Sequence, residues 1–230
     1  MPQSPIRKAR TRAEILDQAA RLFRLRGHAG TNIDDIMLAA GLTRGAFYAH
    51  FTSKDDLFAE AIRTGQGLLG RLRGGEPSAA LKAYLDKAGL AATAQDCTLA
   101  ALPGDVARAP LAARLAYANV LYATIAELAR GKPRKLDADA TVVAILAIGA
   151  VTLARASGDT RLSDWLLRCA DRAALPLLKG RRLKPRASPA KKRSRSRRKA
   201  AGARRAKPAA RSRGGRAAAG PKAHSSAASR

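Results

Sequence analysis

Arg44, followed at once by Gly45 and Ala46, is the triplet in this chain best suited to recognising another molecule. A guanidinium carries two parallel N–H donors, and these match the paired acceptors that guanine shows in the major groove. Gly45 and Ala46 keep the adjoining surface low, so that backbone can approach a base edge, and the Ala46 methyl can meet a thymine methyl. Bond-breaking chemistry finds no comparable support. The sequence has no nucleophile elbow, P-loop, dinucleotide fingerprint, paired-carboxylate or metal-ligand constellation. His50 has no partner nearby in sequence for metal binding or base catalysis, and Cys97 and Cys169 are far apart without metal-ligand spacing. The expectation is a binding protein rather than an enzyme, with no metal and no cofactor.

The elements around the triplet must hold it outward. Thr31 followed by Asp34 reads as a capping-box start, and Ile33, Ile36, Met37 and Ala40 then make a helical apolar face. Gly41 supplies a turn, and Thr43 is placed to cap a second helix, 44–50, whose Phe47 and Phe51 point inward. Ser53 with Asp56 repeats the capping signature and opens a third helix at Lys54. This is a helix-turn-helix, the unit whose second helix lies in the major groove of DNA. Upstream, the spacing of Ile15, Ala19, Leu22 and Phe23 predicts a bracing helix over 11–26, stopped by Gly27. Residues 1–10 read as a basic arm, either a mobile terminus or a phosphate contact.

The run GLTRGAFYAHF-x-SKDDL, 41–57, closely resembles the signature of the TetR family of bacterial repressors, and residues 11–41 match the same family pattern. The resemblance implies a dimer on a near-palindromic operator, released by a small-molecule effector in a second domain. It implies phosphate contacts from Tyr48, His50 and Lys54, and hydroxyl or amide contacts from Thr31 and Thr43 at helix starts. It also implies that the helix beginning at Lys54 transmits effector binding as a swing of the head. Residues 97–129 are similar, more loosely, to the regulatory domain of one TetR subgroup in which a cysteine opens the corresponding helix. Pro103 departs from the unbroken helix expected there.

The rest of the chain predicts an all-α protein, because no segment alternates with period two. The third helix is expected to run unbroken from Lys54 to about Leu72, with Gly65, Gly67 and Gly70 marking either a hinge or close packing. Further helices are expected over 78–91, 95–109 with a break at Pro103-Gly104, 110–130, 137–157 and 161–179. Tyr84, Cys97, Tyr117, Leu121 and Tyr122 line an effector pocket on one reading and form ordinary core on the other. Cys97 is read first as a buried structural cysteine and second as a sensor thiol. The last two helices are more apolar than a monomer needs, and Leu146, Gly149, Leu153, Leu162, Trp165 and Leu166 are candidates for a homodimer interface.

Charge divides the chain. The formal net charge is +27, yet from Gly180 onward there are 19 Lys and Arg and no acidic residue, leaving 25 basic and 17 acidic residues before it. With no large hydrophobic residue after Leu183, this tail is expected to be disordered, similar in composition to linker-histone tails, and to bind DNA non-specifically. The organisation expected is 1–10 basic arm, 11–55 DNA-binding domain, 56–179 helical ligand-binding and dimerisation domain, and 180–230 disordered tail. The N-terminus lacks the apolar core of a secretory signal, and the apolar run 141–154 is short for a membrane span. The expected setting is the cytoplasm, in association with the nucleoid and with no membrane. The functional expectation is a transcriptional regulator, the alternative being an architectural DNA-binding protein driven by its tail.

Overall fold

Ser4 and Pro5 start the first helix six residues ahead of the position that the apolar spacing indicates. In the computed structural model, which describes residues 4–65, 67–86, 97–130 and 136–180, α1 spans Pro5–Arg26. The Ser4 hydroxyl accepts the Arg7 N–H at 3.3 Å, and proline at the first helical position loses no hydrogen bond. Arg7, Lys8 and Arg10 therefore belong to a helix rather than to an arm.

The reading unit follows. α2 spans Ile33–Ala39, capped by Asn32 rather than Thr31: Asn32 Oδ1 accepts from Asp35 N at 2.7 Å, and the Asp35 carboxylate reaches back to Asn32 N. The box is displaced by one residue because the Thr31 hydroxyl is turned inward, donating to the Gly27 carbonyl at 2.9 Å. Gly41, at φ 67°, makes the turn. The second helix is a 3-10 helix, Arg44–Ala49, closed by bonds such as Ala46 N to Thr43 O and His50 N to Phe47 O. Phe47 and Phe51 are both buried beneath it, as their spacing indicates.

α3 spans Lys54–Thr64 and does not continue to Leu72; it stops at Gly65, and α4 restarts as Gly67–Arg73. The cause is a crossing chain. A Cβ on Gly65 would overlap Thr98 Oγ1, and one on Gly67 would overlap Cys97, so that two glycines let the 97–98 segment lie directly against the helix junction. Of the two sequence readings of this glycine cluster, close packing accounts for both residues.

The body continues with α5 (Pro77–Tyr84), α6 (Thr98–Ala101), α7 (Pro103–Arg108, begun by Pro103 where a break is expected), α8 (Leu111–Leu128), α9 (Ala138–Ala156) and α10 (Thr160–Leu178). Among the described residues there is no strand, and the fold is all-α. α3 packs on α1 to one side and on α8 to the other, while α9 and α10 pack mainly on each other. α9 is 19 residues long and apolar enough to cross a membrane by length and composition, but Val143, Ala147, Val151 and Ala154 bury one face of it in the protein. The chain divides into two units, 1–185 and 186–230, and all of the helices above lie in the first. The expected arm tip at 1–3, the end of the 78–91 helix and the tail at 181–230 lie outside the described residues.

Gly67, at φ 40° and against Cys97, admits no side chain. Gly67→Ala is expected to destabilise the protein by about 1–3 kcal/mol through overpacking, with strain at positive φ adding to it. Thermal or denaturant unfolding measures this, and an unchanged midpoint would refute the crossing.

Candidate nucleic-acid interface

Thr43, Arg44, Gly45 and Tyr48 stand exposed along the 3-10 helix, while Ala46 is half-buried and Phe47 anchors the segment from below. Nothing lies within 4 Å of where a Gly45 side chain would begin, so backbone at this point is open to a partner. The Thr43 hydroxyl makes no cap hydrogen bond and is left available. Tyr48 is 60% exposed and is steadied by an edge contact on Phe47, with ring centroids 5.2 Å apart.

Arg44 is not free in this state. Its Nη1 lies 2.5 Å from Asp34 Oδ2 on α2, with both side chains more than half exposed. An exposed ion pair contributes about 0–1 kcal/mol, whereas a bidentate arginine–guanine contact is worth about 1–3 kcal/mol. Asp34 therefore orients Arg44 without withholding it from a base.

The residues expected to contact phosphates are placed unevenly. Lys54 extends its ammonium over the start of α2, donating to the carbonyls of His28 at 3.0 Å and Thr31 at 3.1 Å. An ammonium has three protons, so one remains for a phosphate. Thr31 is 1% exposed with its hydroxyl committed inward, which leaves it only a backbone role at a surface. His50 is partly buried with Nδ1 lacking a hydrogen-bond partner; burial, then Lys8 and Arg12, push its pKa down. Arg12, which sequence spacing does not single out, lies over the Phe51 ring at 4.4 Å and bonds to Glu60. Its pKa is raised, first by that hydrogen bond.

Two further residues escape a reading of the sequence. His28, in the loop after α1, is wedged between Phe23 (centroids 5.8 Å apart) and Phe58 (4.6 Å), with Nε2 2.9 Å from Asp55 Oδ1, a contact that becomes an ion pair only when the ring is protonated. Its backbone N–H donates to Asp105 Oδ1 at 2.9 Å, across 77 residues of chain. No local pattern announces either partner, because the contact exists only once α7 has packed beside the loop.

The candidate effector residues gather in part. Tyr84 and Cys97 are fully buried, with the Tyr84 hydroxyl 3.1 Å from Cys97 Sγ, and Tyr117 donates to the Leu99 carbonyl at 2.7 Å. Burial pushes the Tyr84 phenol well up and that of Tyr117 up to about 12. Leu121 is half-buried against the same core, and Tyr122 is half-buried on the same helix. A cavity of about 330 Å³ lies instead between α5 and α10, lined by residues including Lys82, Leu85, Asp86, Leu167 and Asp171.

The geometry has close counterparts. Residues 15–61 match the model of "Bacterial regulatory proteins, tetR family". Residues 15–61 thus carry a TetR-family head. Over 62 residues it is 47% identical to the HTH-type transcriptional regulator AcrR of Shigella flexneri, covering 27% of this chain and 29% of AcrR. Over 56 residues it is 45% identical to the HTH-type transcriptional repressor KstR2 of Rhodococcus jostii (strain RHA1), covering 24% and 28% of the two chains. The match thus spans less than a third of these curated relatives. The fold extends further: a TetR-family regulator from Cytophaga hutchinsonii superposes with a TM-score of 0.56 at 21% identity, over 80% of this chain and all of the other. The helical architecture of the body is shared with that neighbour.

Both folded-region histidines have lowered pKa values, for which burial is the first cause. In the unfolded chain they titrate near 6.5, so just below that pH the unfolded state binds more protons than the folded state. Stability is therefore expected to be complete above pH 6.5 and to decline as pH falls below it, with His28→Gln flattening the decline. Denaturant midpoints across this range measure it; a midpoint that rose on acidification would contradict the burial of these rings.

Proposed function

We propose that this chain is a TetR-type, sequence-specific DNA-binding transcriptional regulator that works as a homodimer and represses until a small molecule releases it. The single observation that carries the reading is the exposed Arg44–Gly45 start of the 3-10 helix, followed by half-buried Ala46 and seated on buried Phe47 and Phe51 within a head that matches the family. Arg44 reads guanine, Gly45 and Ala46 admit close approach, and Thr43, Tyr48, His50 and Lys54 hold phosphates, with Thr31 contributing through backbone alone. The first turns of α1, with Arg7, Lys8 and Arg10, extend the same basic surface as a rigid rod.

The proposed dimer is supported by what α9 and α10 leave uncovered. Ile145, Gly149 and Leu153 lie four residues apart on α9, and Leu162, Trp165 and Leu166 share one face of α10. Trp165 is 60% exposed and Leu153 57%, large apolar groups that a second copy would cover. Leu146, half-buried, lies beside this stripe. Two heads so joined read two half-sites about one DNA turn apart. The effector acts in the body through the Tyr84–Cys97–Tyr117 core, which is closed in this state, so that α6 must shift for a ligand to enter; Leu121 and Tyr122 flank it on α8. The architectural reading has only the charge of the tail behind it. We take the tail as an aid to affinity, adding phosphate contacts that do not choose the site.

Duplexes selected from a random library by the full chain are expected to share one near-palindromic sequence. Arg44→Ala is expected to lose about 1–3 kcal/mol at a guanine position and to relax preference there. A selection that yields no shared sequence would sink the reading. A chain ending at Lys179 is expected to keep the preferred sequence while its binding becomes less salt-dependent, by about 0.9 in log–log slope for each phosphate that the tail no longer neutralises. Gly149→Leu meets nothing within a single chain, yet is expected to convert dimer to monomer in sedimentation velocity; persistence of the dimer would place the interface elsewhere.

A further inference from the structure

We infer that Asp105, a residue of the body, is a positioning residue for the DNA grip of the head, acting through His28 on Lys54. The inference rests on the reading of the head as a DNA-binding unit. His28 is the point where contacts from three elements meet: two hydrogen bonds and a ring packed between aromatics. Its N–H is held by Asp105 Oδ1 of α7 at 2.9 Å, its carbonyl receives Lys54 Nζ of α3 at 3.0 Å, and its ring sits between Phe23 of α1 and Phe58 of α3 beside Asp55.

The loop is shaped for this. Gly27 takes φ 76°, and a Cβ there would come within 3.0 Å of Asp105 Oδ1, so that the carboxylate lies directly on the loop backbone. On the other side, Lys54 bonds the Thr31 carbonyl as well, at 3.1 Å, tying the entry of α2 to the start of α3. The position of the ammonium is thus set by the path of residues 27–31, and that path is pinned by Asp105. Two of the three ammonium protons are consumed by fixed carbonyls, so the third has a defined direction instead of sweeping a cone of solvent.

Asp105 also sits at the end of a short strap. From Cys97, bonded by Tyr84, through Leu99, whose carbonyl is bonded by Tyr117, the chain passes α6 and enters α7 at Pro103, two residues before Asp105. Movement of α6 in the body therefore displaces the carboxylate that holds the loop, and the displacement is felt at Lys54 rather than at Arg44. The consequence is specific: breaking this link weakens the phosphate grip and leaves base preference intact.

The test uses the full chain, with the duplex that it selects from a random library as probe, and the variants Asp105→Ala, Asp105→Asn, Lys54→Met and the Ala–Met double, each shown folded at the assay temperature. Asp105→Ala is expected to weaken binding about tenfold and to reduce the salt slope by about 0.9, the value for one phosphate no longer neutralised. Lys54→Met is expected to do the same, and the double variant to be no worse than either single one. Asn keeps an oxygen acceptor, so Asp105→Asn is expected to bind within about threefold of the parent chain. Additive losses in the double variant, or an Asp105→Ala protein with lowered Tm but unchanged salt slope, would overturn the inference and leave Asp105 a structural residue. Amide hydrogen exchange separates this from failure of the DNA reading: the His28 amide is expected to lose protection in Asp105→Ala and to keep it in Asp105→Asn whether or not any duplex is selected. Unchanged protection in Asp105→Ala overturns the clamp itself.

Discussion

Phe58 occupies the place where the head and the body share one core. Its ring meets Phe23 edge-on at 5.0 Å and His28 at 4.6 Å, and the helix that carries it packs on α1 to one side and on α8 to the other. Burying one phenylalanine contributes about 1.5–3 kcal/mol, and this one does so for two groups of helices at once. The 3-10 helix is too short to hold itself, since six residues offer few internal bonds. Its position is inherited from Phe47 and Phe51 below it, from Arg12 stacked on Phe51, and from α3 behind them.

The electrostatics of the head divide into fixed and loose groups. Lys54 is fixed by two carbonyls, and Arg12 by Glu60 and an aromatic face. Arg44 is held only by Asp34 in solvent, where screening makes the pair weak. On the proposed function, that division suits a molecule that finds DNA first and reads it second. In that proposal fixed cations define where the phosphates go, and a lightly tethered arginine exchanges its carboxylate for a base at small cost.

The sequence was legible where local chemistry decides structure. Asn32, Gly41, Ser53, Asp137 and Asp159 mark helix boundaries through side-chain caps or a positive-φ turn, and spacing alone located them to within a residue or two. The start of α1 was legible too, in Ser4-Pro5, although the apolar pattern begins later and draws the eye to Thr11. What spacing could not show was anything fixed across the chain. The break at Gly65 depends on Thr98, the role of Lys54 on carbonyls 23 and 26 residues away, and the role of His28 on Asp105. The candidate effector residues were half legible: their apolar and phenolic types place them in the core, but whether a core is open or closed is decided by packing, and here Tyr84 is sealed against Cys97.

The central claim is that a base-reading head, rather than the charge of the tail, chooses where this protein sits. A protection footprint of the full chain on long DNA carrying the selected sequence, taken over rising salt, tests it most directly. A discrete palindromic window that persists after surrounding protection has faded is the predicted result, because counterion release weakens non-specific binding first. Diffuse protection that disappears uniformly as salt rises would contradict the account and return the protein to charge-driven binding.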